Sequence, residues 1–373
     1  MRVLHVIPAV ARRYGGPTYA VAGICKALRE EDVDAEIATT DADGPRDALT
    51  LAGIQPMFGD VPVRLFHRRL GESLKYSTGL GKWLEAHIAS YDVVHIHAIF
   101  SYSSVAASRV SARKRVPFLV RPLGSLDPWS MSVNTMRKKM FLRLFCSDLL
   151  HRAAQFHFTT DEEQRLASAI VQRPSFVAPL GVDEALFAAP QRPQSKEVVY
   201  VGRIHAKKNL DLLIKAFAAA APRDSDWRLR IAGEGEDDYV RQLQAVARRA
   251  GVDQRVEFVG WVDGEQKRQL LQAASVFALP SSQENFGIST AEAMAAGVPV
   301  VVSTDVNLAN DIATAGAGWV ANLGTFAETL REALASEVER EKRGRAAHAL
   351  ALSRYRWSGT ARILREVYER IQG

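Results

Sequence analysis

The stretch VVYVGRIHAKKNLDLLIKAF, residues 198–217, decides the fold. Val-Val-Tyr-Val reads as a strand buried on both faces, a polar loop follows Gly202, and a helix begins near Leu210. A strand that hands over directly to a helix is half of a βαβ unit, and the same alternation runs outward from it in both directions. Downstream, strands are expected at 228–231, 256–259, 276–279, 298–301 and 318–320, separated by helices starting near Asp237, Glu265, Thr290 and Thr325. Upstream lies AAPQRPQS, residues 188–195, whose two prolines and sparse apolar content read as a surface linker. Ahead of it come strand-like runs at 3–7, 35–38, 63–66, 93–96, 118–120, 155–158 and 176–178, with amphipathic stretches such as 19–29 between them. The pattern predicts an α/β protein of two doubly wound, Rossmann-like domains with parallel sheets, and ligands at the carboxyl ends of the strands facing a deep cleft between them. The expected spans are 1–187 for the first domain, 188–352 for the second and 353–373 for a last helix, which is free to pack on either domain and is expected back on the first.

Length agrees, since 373 residues exceed what one core serves. With 47% hydrophobic and 24% charged residues, the composition excludes a disordered chain, a collagen-like repeat and a coiled-coil array. Cys25 and Cys146 allow at most one disulfide and no structural zinc site of their own, which fits a reducing compartment. No apolar run approaches the roughly 18 residues of a membrane span. Residues 1–10 read as a first strand rather than an export signal, because His5 and Pro8 interrupt a short apolar run and no cleavage site follows. The expected location is cytoplasmic, peripheral at the inner face of the membrane if the basic segment described below touches lipid.

Three turns concentrate the chemistry. In HVIPAVARRYGGPTYAV, residues 5–21, Gly15 and Gly16 let a ligand approach the backbone, and Pro17 opens a helix whose free amides suit an anion. A Gly-Gly-Pro turn also serves as plain punctuation. After the strand 198–201, Arg203 and Lys208 precede a helix start, where cations are unfavourable unless an anion faces them. A bidentate guanidinium, a point cation and a helix N-terminus can together neutralise a diphosphate without a metal. Lys207 reads as the solvated neighbour, and the sequence leaves open which lysine turns inward. In LPSSQENFGISTAEAMAAGVPVV, residues 279–301, Glu284 and Glu292 stand on either side of Phe286, Gly287 and a helix start near Ser289. Both can line one mouth, where carboxylates accept the paired hydroxyls of a ribose or a sugar ring and the amides by Gly287 suit a phosphate. Two glutamates near a helix start are equally good partners for its dipole.

Taken together, YGGP, VGRIHAKKNL and ENFGISTAEAMAAGVPVV resemble the family-4 glycosyltransferases, retaining enzymes of the GT-B fold and of the group 1 type found in polysaccharide biosynthesis. The likeness runs through nearly the whole chain, including HIHAIF at 95–100 and VAPLGVDEALF at 177–187. It implies a hexosyltransferase that takes a nucleotide-diphosphate sugar, with the nucleotide on the second domain and a saccharide or lipid-linked saccharide acceptor on the first. Carried over residue by residue, it implies that Gly15 and Gly16 close on the donor diphosphate and that Arg203 and Lys208 hold it and stabilise the leaving nucleotide. Glu284 would meet hydroxyls of the donor sugar with the amides around Phe286 and Gly287, and Glu292 would take the ribose hydroxyls. His97 falls where the family keeps a histidine beside the sugar and the reaction centre; read alone, a histidine at a strand end is more often structural, as His95 is expected to be. Arg121 and Asp127, in RPLGSLDPW at 121–129, lie on a loop resembling one in polysaccharide-making members and are expected at the acceptor. A turn-forming Asp before Pro128 is the other reading of Asp127. The scheme requires no metal and no cofactor beyond the donor. The sequence departs from the pattern at Asn209 and Asn285, where Gly is commoner, and the base, whether uracil, guanine or adenine, is expected near Gly235 and residues 259–262.

The formal charge of +6 is concentrated: residues 109–152 hold ten Lys and Arg against Asp127 and Asp148. Within 134–152, Met136, Met140, Phe141, Leu144, Phe145 and Leu149 recur at helical spacing beside Arg137, Lys138, Lys139 and Arg143. Such a helix can lie on an anionic membrane surface, or present a core-facing stripe and a solvated basic face. No recognition motif accompanies the charge, so nucleic acid is not an expected partner. Two rival functions are a metal-dependent transferase using the Asp-x-Asp spacings Asp32/Asp34 and Asp41/Asp43, and a non-catalytic bilobed sugar-binding protein. Turn chemistry explains those aspartates better, and a sugar-binding protein needs no paired cations at a diphosphate turn.

Overall fold

The computed structural model describes residues 1–188 and 196–372 and divides into two compact units, Met1–Gly181 with Trp357–Gly373, and Val182–Arg356. The first unit carries a seven-stranded parallel sheet: β1 Arg2–Ala9, β2 Asp34–Thr40, β3 Val63–Phe66, β4 Val93–His97, β5 Phe118–Arg121, β6 Gln155–Phe158 and β7 Ser175–Val177. Its order is β3-β2-β1-β4-β5-β6-β7. The second unit has a six-stranded parallel sheet of β8 Glu197–Val201, β9 Arg228–Ala232, β10 Val256–Gly260, β11 Val276–Leu279, β12 Val300–Ser303 and β13 Gly318–Ala321, in the order β10-β9-β8-β11-β12-β13. Each order winds outward from its first strand in both directions. That leaves a switch point beside β1 and another beside β8, where the carboxyl ends of the strands open for a ligand. Strands β4, β11 and β12 are buried along their whole length, as valine-rich strands covered by helices on both faces must be.

The boundaries move for identifiable reasons. Strand β12 starts two residues after the expected 298, because Pro299 has no amide to donate and contributes only its carbonyl, to Phe277 N. The last helix does not begin near Ser353: that residue lies in the last turn of the helix Glu337–Arg354, and a separate helix runs Trp357–Gln372. Between them the chain turns extended, with Val182 N donating to Tyr355 O and Arg356 bridging Val182, so residues 182–187 join the second unit rather than the first. The helix Trp357–Gln372 belongs to the first unit. There the Trp357 ring lies so close to Gly23 and Gly181 that a Cβ on either would come within 2.2 and 2.4 Å of it. Apart from Ala188, the expected linker 188–195 lies outside the described residues.

The first sheet has two unlike faces. Leu4, Val6, Val94, Ile96, Phe118, Val120, Phe156 and Phe158, all even-numbered, form the apolar core. His5, His95, His97, Arg121 and His157, all odd-numbered, are equally buried and form a polar layer. The basic segment also departs from a single stripe. Its helix Thr135–Phe145 buries no residue, with Met136 at 84%, Met140 at 56% and Leu144 at 58% exposure, while Phe141 packs inward and Leu149 is fully buried on the next helix. Among the described residues no helix is long and apolar enough to cross a membrane.

Candidate active site

In the second unit, the loop after β8 brings the expected residues together. Asn209 takes a left-handed conformation, φ 51°, between the turn Ala206–Lys208 and the helix Leu210–Ala220. Asparagine is among the few residues that adopt it readily, and its side chain donates to Pro280 O and Ser282 Oγ, each at 2.8 Å. The departure from Gly therefore adds a tie between the two loops. Lys208 is the lysine that reaches Glu284, as an ion pair. The carbonyl of Lys207 accepts from Ser282 N at 2.9 Å, locking the same two loops. Arg203 has an exposed side chain, and its carbonyl accepts from the Tyr200 hydroxyl. Burial, then the nearby Glu284 carboxylate, pushes that phenol well above its usual range, so it stays a donor.

Glu284 is held from behind: its amide donates to Asp305 O and its carbonyl accepts from Asn307 N, each at 3.0 Å. Gly287, φ 81°, precedes the helix Ile288–Ala295, whose first amides have no carbonyl within the helix to bond. A Cβ at Gly287 would press on Glu284 Cγ and Thr290 Oγ1, both at 3.3 Å, so glycine keeps the carboxylate and the helix end together. Phe286 is buried and packs edge-on against Tyr355. Glu292 is buried and paired with Lys267 of the helix Gly264–Ala273. Lys267 carries no sequence signal: it stands 25 positions before Glu292 on another helix, and only the tertiary fold joins them.

In the first unit, Gly15 has φ 71° and caps the helix Gly16–Glu30, with no atom within 4 Å of where its Cβ would be. Tyr14 anchors that turn, donating to Glu72 Oε1 at 2.6 Å and accepting from Gly44 N at 2.9 Å. His97 ends β4 and is fully buried, with its Nε2 3.0 Å from His5 Nδ1. Burial, reinforced by the Arg121 charge, lowers His5 and His157 to about 3 and holds His95 and His97 well below the usual imidazole range. Arg121, lowered by burial to about 10, stays charged at neutral pH, and its Nε and Nη1 have no hydrogen-bond partner. Asp127 is buried and caps the helix Pro128–Ser132 by accepting from Ser130 N, the turn-forming role. Buried Glu163, which the sequence reading missed, accepts from Gly124 N and from Thr159 N and Oγ1, fixing the loop between Arg121 and Asp127. The histidines at alternate positions in HVI, HIH and QFHF were a legible sign of the polar layer, since period two marks one face of a strand.

His5, His95 and His97 offer nitrogens within 4.8 Å of one another, a spacing a metal ion could use. Both His95 nitrogens are bonded, to Tyr368 and His157, and His5 Nδ1 and His97 Nε2 bond each other; with the Arg121 charge beside them, the set does not suit a cation. Asp34 pairs with Arg29, Asp41 with His67, and Asp43 with Arg13, while Asp32 occupies a left-handed turn position.

Residues 182–349 match the pattern of the glycosyl transferases group 1, and residues 15–181 that of the glycosyl transferase 4-like domain. The chain is 25% identical over 393 residues to the GDP-mannose:cellobiosyl-diphosphopolyprenol alpha-mannosyltransferase of Komagataeibacter xylinus, covering 100% of this chain and 94% of that one. It is 30% identical over 319 residues to a phosphatidyl-myo-inositol mannosyltransferase of Mycobacterium tuberculosis, covering 78% and 76%. Among solved structures, HepE of Anabaena in complex with UDP superposes with a TM-score of 0.81 at 19% identity, covering 99% of this chain and 100% of that one. Sucrose-phosphate synthase from Thermosynechococcus elongatus gives 0.76 at 19% identity, covering 99% and 98%. These likenesses establish the GT-B fold class expected from the sequence.

Proposed function

The chain belongs to the group 1 glycosyl transferases, and from that premise we propose that it is a retaining, metal-independent hexosyltransferase using a nucleotide-diphosphate sugar. One observation carries this reading. Arg203 and Lys208 stand ahead of the helix at Leu210, with Glu284 and the free amides at Ile288 beside Lys208, a cationic cradle of the kind a departing diphosphate needs. As the bond from the anomeric carbon to the diphosphate oxygen breaks, Arg203 and Lys208 take up the growing negative charge, and Glu284 exchanges Lys208 for sugar hydroxyls. The acceptor hydroxyl attacks from the face the diphosphate leaves, its oxygen bonding the anomeric carbon and its proton passing to the departing phosphate. Configuration is thereby retained, and the protein's own cations do what a metal would otherwise do. Glu292, oriented by Lys267, takes the ribose hydroxyls, the amides around Phe286 and Gly287 complete the sugar pocket, and Gly15 and Gly16 close on the diphosphate. His97 stands beside the sugar, with Arg121 and Asp127 on the acceptor side; the unpartnered Arg121 donors support a polar ligand there.

Both sequence relatives are mannosyltransferases by name and the Komagataeibacter one takes GDP-mannose, which favours mannosyl transfer from that donor, and the lipid in both names supports a lipid-linked saccharide as acceptor. The outward Met136, Met140 and Leu144 among Arg137, Lys139 and Arg143 favour an anionic membrane surface as the place of work, with the protein peripheral at its cytoplasmic face. A thermal-shift series of GDP, UDP, ADP and CMP with their sugar adducts, in magnesium and in EDTA, tests the donor, since a ligand of the native state raises its stability. A shift by GDP and GDP-mannose that survives EDTA is expected, followed by an α-linked product from the α-configured donor. A shift lost in EDTA overturns metal independence, and a protein stabilised by free sugars but by no nucleotide is a binding protein instead.

A further inference from the structure

We infer that His5 is a positioning residue, holding the His97 imidazole so that Nδ1 is the nitrogen presented to substrate; this rests on the placement of His97 beside the sugar proposed above. The four histidines of the polar layer fall into two kinds by their hydrogen bonds. His157 Nε2 lies 2.9 Å from Ala178 O and so carries its proton. His157 Nδ1 then accepts from His95 Nε2 at 3.3 Å, and His95 Nδ1 accepts from the Tyr368 hydroxyl at 2.7 Å. Every nitrogen in that chain is used, which is what a structural histidine requires. His5 and His97 spend one nitrogen each on their 3.0 Å bond, leaving His5 Nε2 and His97 Nδ1 buried with no partner.

A buried nitrogen left without a partner is unfavourable, and structure alone gives no reason to carry that cost. Of the two, His97 is the last residue of β4, followed by Ala98 at φ 71°, and so stands at the carboxyl end of the sheet where ligands enter. His5 lies inside β1. Turning the His97 ring to satisfy Nδ1 would break its bond to His5, so His5 sets both the ring orientation and, through the direction of the bond, whether Nδ1 donates or accepts.

His5→Leu removes the bond, while His5→Asn keeps a polar atom near the place of Nδ1. With GDP-mannose as the probe and GDP release as the readout, or UDP-glucose and UDP if those are what bind, His5→Leu should slow turnover about 10- to 100-fold, by analogy with partners that orient histidines at metal sites. The donor KM should stay within about two-fold, because the lost contact acts in the transition state. His5→Asn should recover most of the rate. Normal turnover in His5→Leu alongside an inactive His97→Ala overturns the inference, whereas normal turnover in His97→Ala overturns the placement of His97 instead. Nitrogen-15 spectra of the unmodified protein give a check that does not depend on a variant folding. His97 should appear as one neutral tautomer with Nε2 coupled across the bond to His5 Nδ1, and two exchanging tautomers would overturn the inference.

Discussion

Lys208 and Glu284 neutralise each other, as do Lys267 and Glu292, so these two lysines and two glutamates are held in place before any ligand arrives. Both pairs are half-buried or deeper, which limits solvent screening and makes the loss of one partner costly for the other. Replacing Arg203 or Lys208 by Ala should weaken GDP or UDP binding and turnover together, by about 10- to 100-fold, the worth of a charge-assisted hydrogen bond. Calorimetric affinity of both variants for both diphosphates is the check, and unchanged values would remove the diphosphate assignment. Glu292→Ala should lower nucleotide affinity, and Lys267→Met should lower it too by releasing the Glu292 carboxylate from its partner. Glu284→Ala should chiefly slow transfer. A Glu284→Ala enzyme with normal turnover would move the sugar pocket elsewhere.

At the scale of elements, the turns after β8 and β9 are pressed together. Gly233 has φ 139°, and a Cβ there would lie 1.8 Å from Gly202 O, backbone that cannot move without pulling β8. Gly233→Ala should therefore cost about 2 kcal/mol or more, seen as a lowered melting temperature of the second unit. The basic helix Thr135–Phe145 makes a different prediction. Its outward apolar residues touch no core, so Met140→Asp with Leu144→Asp should leave the melting temperature nearly unchanged yet abolish co-sedimentation with phosphatidylglycerol vesicles. Equal sedimentation with phosphatidylcholine vesicles, or an unaffected double variant, would remove the membrane surface as a partner.

Across the whole molecule, the polar layer makes stability depend on acid. Above about pH 6.5 its histidines are neutral in both folded and unfolded chains and contribute no pH dependence. Below that the unfolded chain takes up their protons, while native His5 and His157 wait until about pH 3 and His95 and His97 are likewise held down. Stability should therefore fall from about pH 6.5 downward, by about 1.4 kcal/mol per pH unit for each histidine kept neutral. Urea unfolding of the first unit at pH 7.5 and 5.5 tests this, and equal stability at both would contradict the burial of the layer. The same layer is closed by the C-terminal helix through Tyr368, so ending the chain at Arg356 should uncover it and destabilise the first unit far more than the second.

Alternation of apolar strands with helix starts was enough, read along the sequence, for two doubly wound parallel sheets, because buried strands and amphipathic helices write their periods locally. The cations at 203 and 208 and the carboxylate at 284 could be singled out as candidates because they lie on strand-to-helix loops, and Glu292 because it stands in the helix that follows. What only the tertiary structure decided depends on residues far apart in the chain. It chose Lys208 as the lysine that meets Glu284, brought Lys267 to Glu292, and split the basic stripe between core and surface. It also joined His5 to His97 across 92 positions, a pairing that strand order and register create and that no local pattern contains.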